Sequence, residues 1–207
     1  MRSSPADRLW TVTGLAGILL GLGGIAGAIV VAPWFTWTGH ALSDLGHPSR
    51  ASAALFNPSL VTAGLLGVTF TVRLFVAGDH PVERLGIGIV GVGMANMGLV
   101  GVFDITHPVH GPVAVAFFLG ITYGWFLHGS GMALAGSVRR GIGYIWLGIG
   151  HVTAWLLWAV VDLDGIALPE IAGSLLLAVW IVDVTRSLET AELSGQGSSA
   201  IANERAR

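Results

Sequence analysis

Long apolar runs alternate along this chain with short polar punctuation, and six of the runs are long enough to cross a membrane. A hydrocarbon core of about 30 Å takes roughly 20 helical residues. The pattern predicts helices over residues 9–32, 56–77, 84–103, 112–137, 141–161 and 166–185. The first run follows Arg2 and Arg8, as the apolar part of a secretory signal would. It is longer than the roughly 7 to 15 residues of such a segment and has no small-residue cleavage site, so it reads as a retained helix. Residues 1–8 then form an N-terminal lead, 9–186 a transmembrane domain and 187–207 a flexible tail, too polar around Gly195, Gln196 and Ser198 to bury a core. The expected fold class is all-α: a polytopic transmembrane bundle of six helices.

Charge orients this plan. Nine of the ten arginines (Arg2, Arg8, Arg73, Arg84, Arg139, Arg140, Arg186, Arg205 and Arg207) fall on the side of the N-terminus, and only Arg50 lies on the other. Positive loops stay inside, so both termini are expected in the cytoplasm, with the protein multi-pass in the plasma membrane. At 53% hydrophobic and 11% charged residues, with a net charge of −2, the chain offers no basic surface for nucleic acid. It contains no cysteine and no lysine, which removes thiolate chemistry and any Schiff-base cofactor. Glycines spaced four apart (Gly17 and Gly21, Gly23 and Gly27, Gly120 and Gly124) suit close helix packing, within the chain or in a homo-oligomer.

The external side carries the polar chemistry. After Pro33, the cluster Trp34-Phe35-Thr36-Trp37 suits the headgroup interface and precedes His40-Ala41-Leu42-Ser43-Asp44-Leu45-Gly46-His47. Asn57-Pro58 has the composition of a helix start, with Asn57 as N-cap and Pro58 at the first helical position. The third helix returns to the same face at Phe103-Asp104-Ile105-Thr106-His107-Pro108-Val109-His110-Gly111.

Ser43-Asp44-Leu45-Gly46, then Asn57-Pro58 and Ala63-Gly64-Leu65-Leu66, and later Val100-Gly101-Val102-Phe103 with His110-Gly111, resemble an uncharacterised prokaryotic six-helix membrane family, domain of unknown function 998 (DUF998). The likeness spans most of the membrane domain. More distantly, the Ser-Asp-Leu-Gly loop is similar to the Frag1/DRAM/Sfk1 group of eukaryotic membrane proteins, some linked to glycolipid-anchor remodelling or membrane-lipid organisation. That resemblance implies lipid-related work and directs attention to Ser43, Asp44, Gly46 and His110.

Three kinds of chemistry fit the residues themselves. The aromatic belt of Trp34, Phe35 and Trp37, with Arg50, His47 and His110, suits an anionic lipid headgroup. Alternatively, Asp44, Asp104, His107 and His110 supply the donors of a Zn²⁺ site able to activate water against a lipid ester. A variant of that hydrolase makes Ser43 the nucleophile, His110 the base and Asp44 the orienting group. The same side chains also suit plain capping and loop hydrogen bonds. Within the membrane, His151 sits near mid-depth on one stripe with Trp155, Trp158 and Asp162. It reads either as part of a polar path, as a small proton-coupled transporter would need, or as a neutral histidine bonded to another helix, with Asn96 as candidate partner. His128 reads as interfacial, and Asp183 with Arg186 as a local ion pair.

Overall fold

A computed structural model describes the backbone of residues 5–205 and the side chains of residues 12–188 and 190. Six α-helices follow one another: α1 (Pro5–Val30), α2 (Ala53–Ala77), α3 (Pro81–Val102), α4 (His110–Leu134), α5 (Val138–Val161) and α6 (Ala167–Arg205). A one-turn 3-10 helix, η1 (Leu42–Gly46), interrupts the connection from α1 to α2, and no strand occurs among the described residues. Each helix contains a stretch long and apolar enough to span a membrane, and that of α6 ends at Leu188. Beyond it α6 runs on as helix to Arg205, through the polar segment read above as a flexible tail. That segment holds no proline to break it.

Two boundaries have local reasons, the first a departure from the sequence pattern and the second at the residue where the pattern put it. α2 begins at Ala53, four residues before Asn57, so Asn57 is no N-cap and Pro58 lies inside the helix. The Ala53-Ala54-Leu55-Phe56 run before Asn57 is itself helical, and the lost N–H of Pro58 falls within the second turn. At the other end of the chain α5 stops at Asp162, which takes a left-handed φ of 56° and closes the helix with its N–H on the Trp158 carbonyl at 3.2 Å. Asp is one of the few residues besides Gly that visits this region readily.

Successive helices pack as antiparallel neighbours, and α6 returns against α1 to close the ring. Small residues set the spacing. An added Cβ on Gly64 would collide with the backbone of Gly98, one on Gly86 with the His128 backbone, and one on Gly129 with the Gly141 carbonyl. These contacts draw α2 to α3, α3 to α4 and α4 to α5 at backbone distance, where van der Waals packing replaces the hydrophobic drive that lipid does not supply. Gly17, Gly21, Gly120 and Gly124 are likewise spent inside the chain, whereas Gly23 faces open space. Trp125, Phe70 and Trp180 fill the interior, with the last two packed edge to face at 6.2 Å.

Candidate functional site

The α1–α2, α3–α4 and α5–α6 connections meet at one end of the bundle, here the η1 end. Arg73, Arg84, Arg139, Arg140 and Arg186 lie toward the opposite end. The long α1–α2 connection is held down at many points. Asp44 Oδ2 accepts the Ala41 N–H at 2.9 Å, so Asp44 caps η1 from within. The Ser52 hydroxyl donates to the Leu45 carbonyl at 2.7 Å, and Asn57 Nδ2 to the Gly46 carbonyl at 3.0 Å. Any side chain on Gly46 would strike Asn57, which explains glycine there. The N–H groups of Gly165 and Ala167 donate to the Thr38 and His40 carbonyls at 2.8 and 2.9 Å, docking the α5–α6 turn on the same segment. Most tellingly, the Leu42 N–H donates to Glu170 Oε2 at 2.6 Å.

Glu170 was invisible to the pattern reading because it looks like an ordinary acid in a first helical turn. It is in fact 5% exposed. With Leu42, Ser43 and Ser174 it forms the polar end of a cavity of about 80 Å³, partly open, lined otherwise by apolar residues of α1, α2, α3, α4 and α6. One water needs roughly 10 to 15 Å³ on such a measure, so the space takes more than a bridging solvent molecule. Ile18, Met94, Phe117 and Ile181 are among the walls, and two methionines, Met94 and Met97, give the lining adaptable shape. Ser43 is 8% exposed, and its hydroxyl has no hydrogen-bond partner among the described residues. The signal that marks Glu170 is an ionisable group inside an apolar, membrane-length run, which is rare enough in such a place to single it out.

In the α1–α2 connection the aromatic cluster is compact. Arg50 Cζ lies 3.5 Å from the centre of the Trp34 ring, a cation–π contact, and Trp34 meets Phe35 and His40 at 6.2 and 5.2 Å. Phe35 and Trp37 pack edge to face at 5.4 Å, with Trp37 40% exposed.

In the α3–α4 loop each candidate ligand has a local partner. Asp104 Oδ1 accepts the Thr106 hydroxyl at 2.6 Å and its N–H at 2.9 Å. These bonds, helped by the charges of His47 and His107 nearby, hold the Asp104 carboxyl below its ordinary titration range despite a small opposing loss of solvation. His107 Nδ1 accepts the Val109 N–H at 3.2 Å, and its ring lies 4.6 Å from that of Phe103. His110 is buried, with Nδ1 2.7 Å from the Phe103 carbonyl, so Nδ1 carries the proton. No hydrogen bond joins Ser43, Asp44 and His110 to one another. No three His, Asp or Glu side chains converge as a metal-ligand set among the described residues. Asp44, Asp104, His107 and His110 therefore share one end of the bundle without meeting at one point.

The deeper polar residues correct two pairings and two placements. His151, 1% exposed, lies with Nδ1 2.7 Å from the Thr122 hydroxyl of α4, while Nε2 accepts the Trp155 indole N–H at 3.0 Å. Thr122 in turn donates to the Phe118 carbonyl at 2.7 Å, so His151 is neutral with its proton on Nδ1. Asn96 is not its partner: that amide donates to the Val92 carbonyl of its own helix. Trp158 leaves the expected stripe to donate to the Gly165 carbonyl, and Asp162 is exposed at the helix end. His128 is buried rather than interfacial, with Nδ1 accepting the Trp180 indole N–H and Nε2 3.8 Å from Glu83. Asp183 takes its ion pair from Arg140 of α5 at 2.7 Å, with the Tyr144 hydroxyl donating to it at 2.8 Å, and not from Arg186. Tertiary neighbours across a helix interface win over positions three apart on one helix, because Arg140 Nε and the Tyr144 hydroxyl both donate to Asp183 Oδ2 while Arg140 Nη2 donates to the Asp183 main-chain carbonyl.

Six apolar spans around an interhelical cavity define an integral membrane protein. The chain belongs to the family described as Protein of unknown function (DUF998), whose model matches residues 15–187. No curated protein and no solved structure matches it. Among the residues on which the family resemblance rests, Ser43 to Gly46 build η1 and fasten it: Ser43 at the cavity, Asp44 as cap, Leu45 fully buried, and Gly46 against Asn57.

Proposed function

We propose that this membrane protein holds a membrane amphiphile. One apolar chain occupies the cavity among α1, α2, α3, α4 and α6, and the head lies at the η1 end beside Ser43, under Trp34, Trp37 and Arg50. One observation carries the reading: the cavity walls are mostly apolar, and their polar side chains, Ser43, Glu170 and Ser174, gather toward the η1 end. That distribution matches a molecule with one wet end, and apolar pockets with a few placed polar groups are the usual form of a ligand site. The arginine distribution supports an outward-facing η1 end, with the aromatic cluster at headgroup level.

Ala178 lines the cavity without hydrogen bonds, so Ala178→Phe fills the space and leaves the polar end intact. Protein purified from its own membranes in mild detergent and examined by native mass spectrometry should carry a retained lipid adduct. Ala178→Phe should lower its occupancy about tenfold, the effect of roughly 1.4 kcal/mol. Val160→Phe, on an exposed face of α5, should leave it unchanged. Equal adducts in all three proteins would end the cavity reading.

A further inference from the structure

A buried carboxylate without a counter-charge asks for one. Glu170 faces the cavity with a single hydrogen bond among the described residues, from the uncharged Leu42 N–H. Among those residues Arg140 pairs with Asp183 and His128 Nε2 lies 3.8 Å from Glu83, and none of the four lines the cavity. Arg50, the one arginine of the η1 end in sequence, lies over the Trp34 ring and is not among the cavity-lining residues either. In apolar surroundings charge is screened far less than in water, so a cation brought beside the Glu170 carboxyl would gain much from it. The Ser43 hydroxyl adds a polar group with no hydrogen-bond partner among the described residues.

Three ligand chemistries meet such a site differently. A carboxylate or phosphate head would set a second acid beside Glu170. An alcohol would gain only a neutral hydrogen bond. An ammonium head would pair with Glu170 and direct a remaining N–H to Ser43, and charge-assisted hydrogen bonds of that kind are roughly twice as strong as neutral ones. The apolar walls below exclude a bare hydrated cation in favour of one carried on a hydrocarbon chain.

We infer that Glu170 and Ser43 form a recognition site for the ammonium head of a single-chain amphiphile whose hydrocarbon tail lies in the interhelical cavity. This rests on the cavity reading above and adds to it the chemical class of the head. Glu170 has a structural task as well, since it holds the Leu42 N–H and so docks η1 on α6. Glu170→Gln separates the two tasks: its amide oxygen still accepts that N–H, and its charge is gone.

The test uses n-dodecylamine, n-dodecanol and dodecanoic acid, equal in chain length, titrated onto the full-length protein in nanodiscs of neutral lipid at pH 7 and read by native mass spectrometry. Wild type should bind the amine at least about tenfold more tightly than the alcohol and should disfavour the acid. Glu170→Gln should bind amine and alcohol alike while keeping the wild-type melting temperature. Glu170→Ala should lose both the preference and some thermal stability. Equal binding of the three probes to wild type, or an unchanged amine preference in Glu170→Gln, overturns the ammonium site and leaves the cavity reading standing. Binding of none of the probes, with no difference on Ala178→Phe, overturns both.

Discussion

Asp104 shows how much a single side chain does in the loop at its end of the bundle. One oxygen takes both the hydroxyl and the N–H of Thr106, fixing a turn in which His107 and then His110 close back on the chain. Those bonds favour the charged carboxylate and depress its titration below 3.8. A carboxyl with a depressed folded-state value contributes stability above the unfolded value, and loses it as pH falls through the folded one. The loop order should therefore persist at pH 4 and fail only in stronger acid. Carbon-detected NMR titration of labelled protein in micelles should give Asp104 a midpoint below 3.8, and Thr106→Val should move it back up toward that value. An unmoved midpoint would show that Thr106 is not the cause.

Among the elements, α4 and α5 are joined at mid-depth by neutral hydrogen bonds in series, from Trp155 to His151 to Thr122 to Phe118. Every polar atom in that line is used, and such a satisfied line binds two helices where no water competes. Thr122→Val removes the acceptor of the His151 Nδ1–H and should cost about 1 to 2 kcal/mol. Asn96→Val, which breaks a bond only within its own helix, should cost much less. Unfolding by a denaturing detergent compares the two, and equal losses would contradict the interhelical assignment. The helices themselves were legible in the sequence, because apolar length alone marks a span. Their partners were not. Thr122 is a small residue with no pattern around it, Glu170 sits where helix starts commonly hold acids, and Asn57-Pro58 imitates a cap that Ser52 displaces. Each depends on which helix lies alongside, and that is fixed by glycine contacts such as Gly64 with Gly98, whose pairing no one-dimensional spacing reveals.

For the whole molecule, the two ends differ in kind. One gathers arginines and short connections, the other an aromatic cluster, a long fastened segment and the polar mouth of a cavity. The chain has no cysteine, so single substitutions report orientation without background. Ala51 is exposed at the η1 end and Ser137 at the opposite one. On intact cells a membrane-impermeant maleimide should label Ala51→Cys and not Ser137→Cys, with both labelled after permeabilisation. The reverse pattern would turn the protein over and move the proposed head site to the inner leaflet.

The bond between Leu42 and Glu170 joins positions 128 residues apart. During synthesis α1 to α5 are made before Glu170 exists, and at translation speeds of roughly 5 to 20 residues per second the nascent bundle waits several seconds for it. Until α6 arrives, η1 has no anchor there, the Thr38 and His40 carbonyls lack their partners on the α5–α6 turn, and one wall of the cavity is missing. The chamber is thus sealed by the last helix to be inserted, while membrane lipid still has free passage into the space that helix will close.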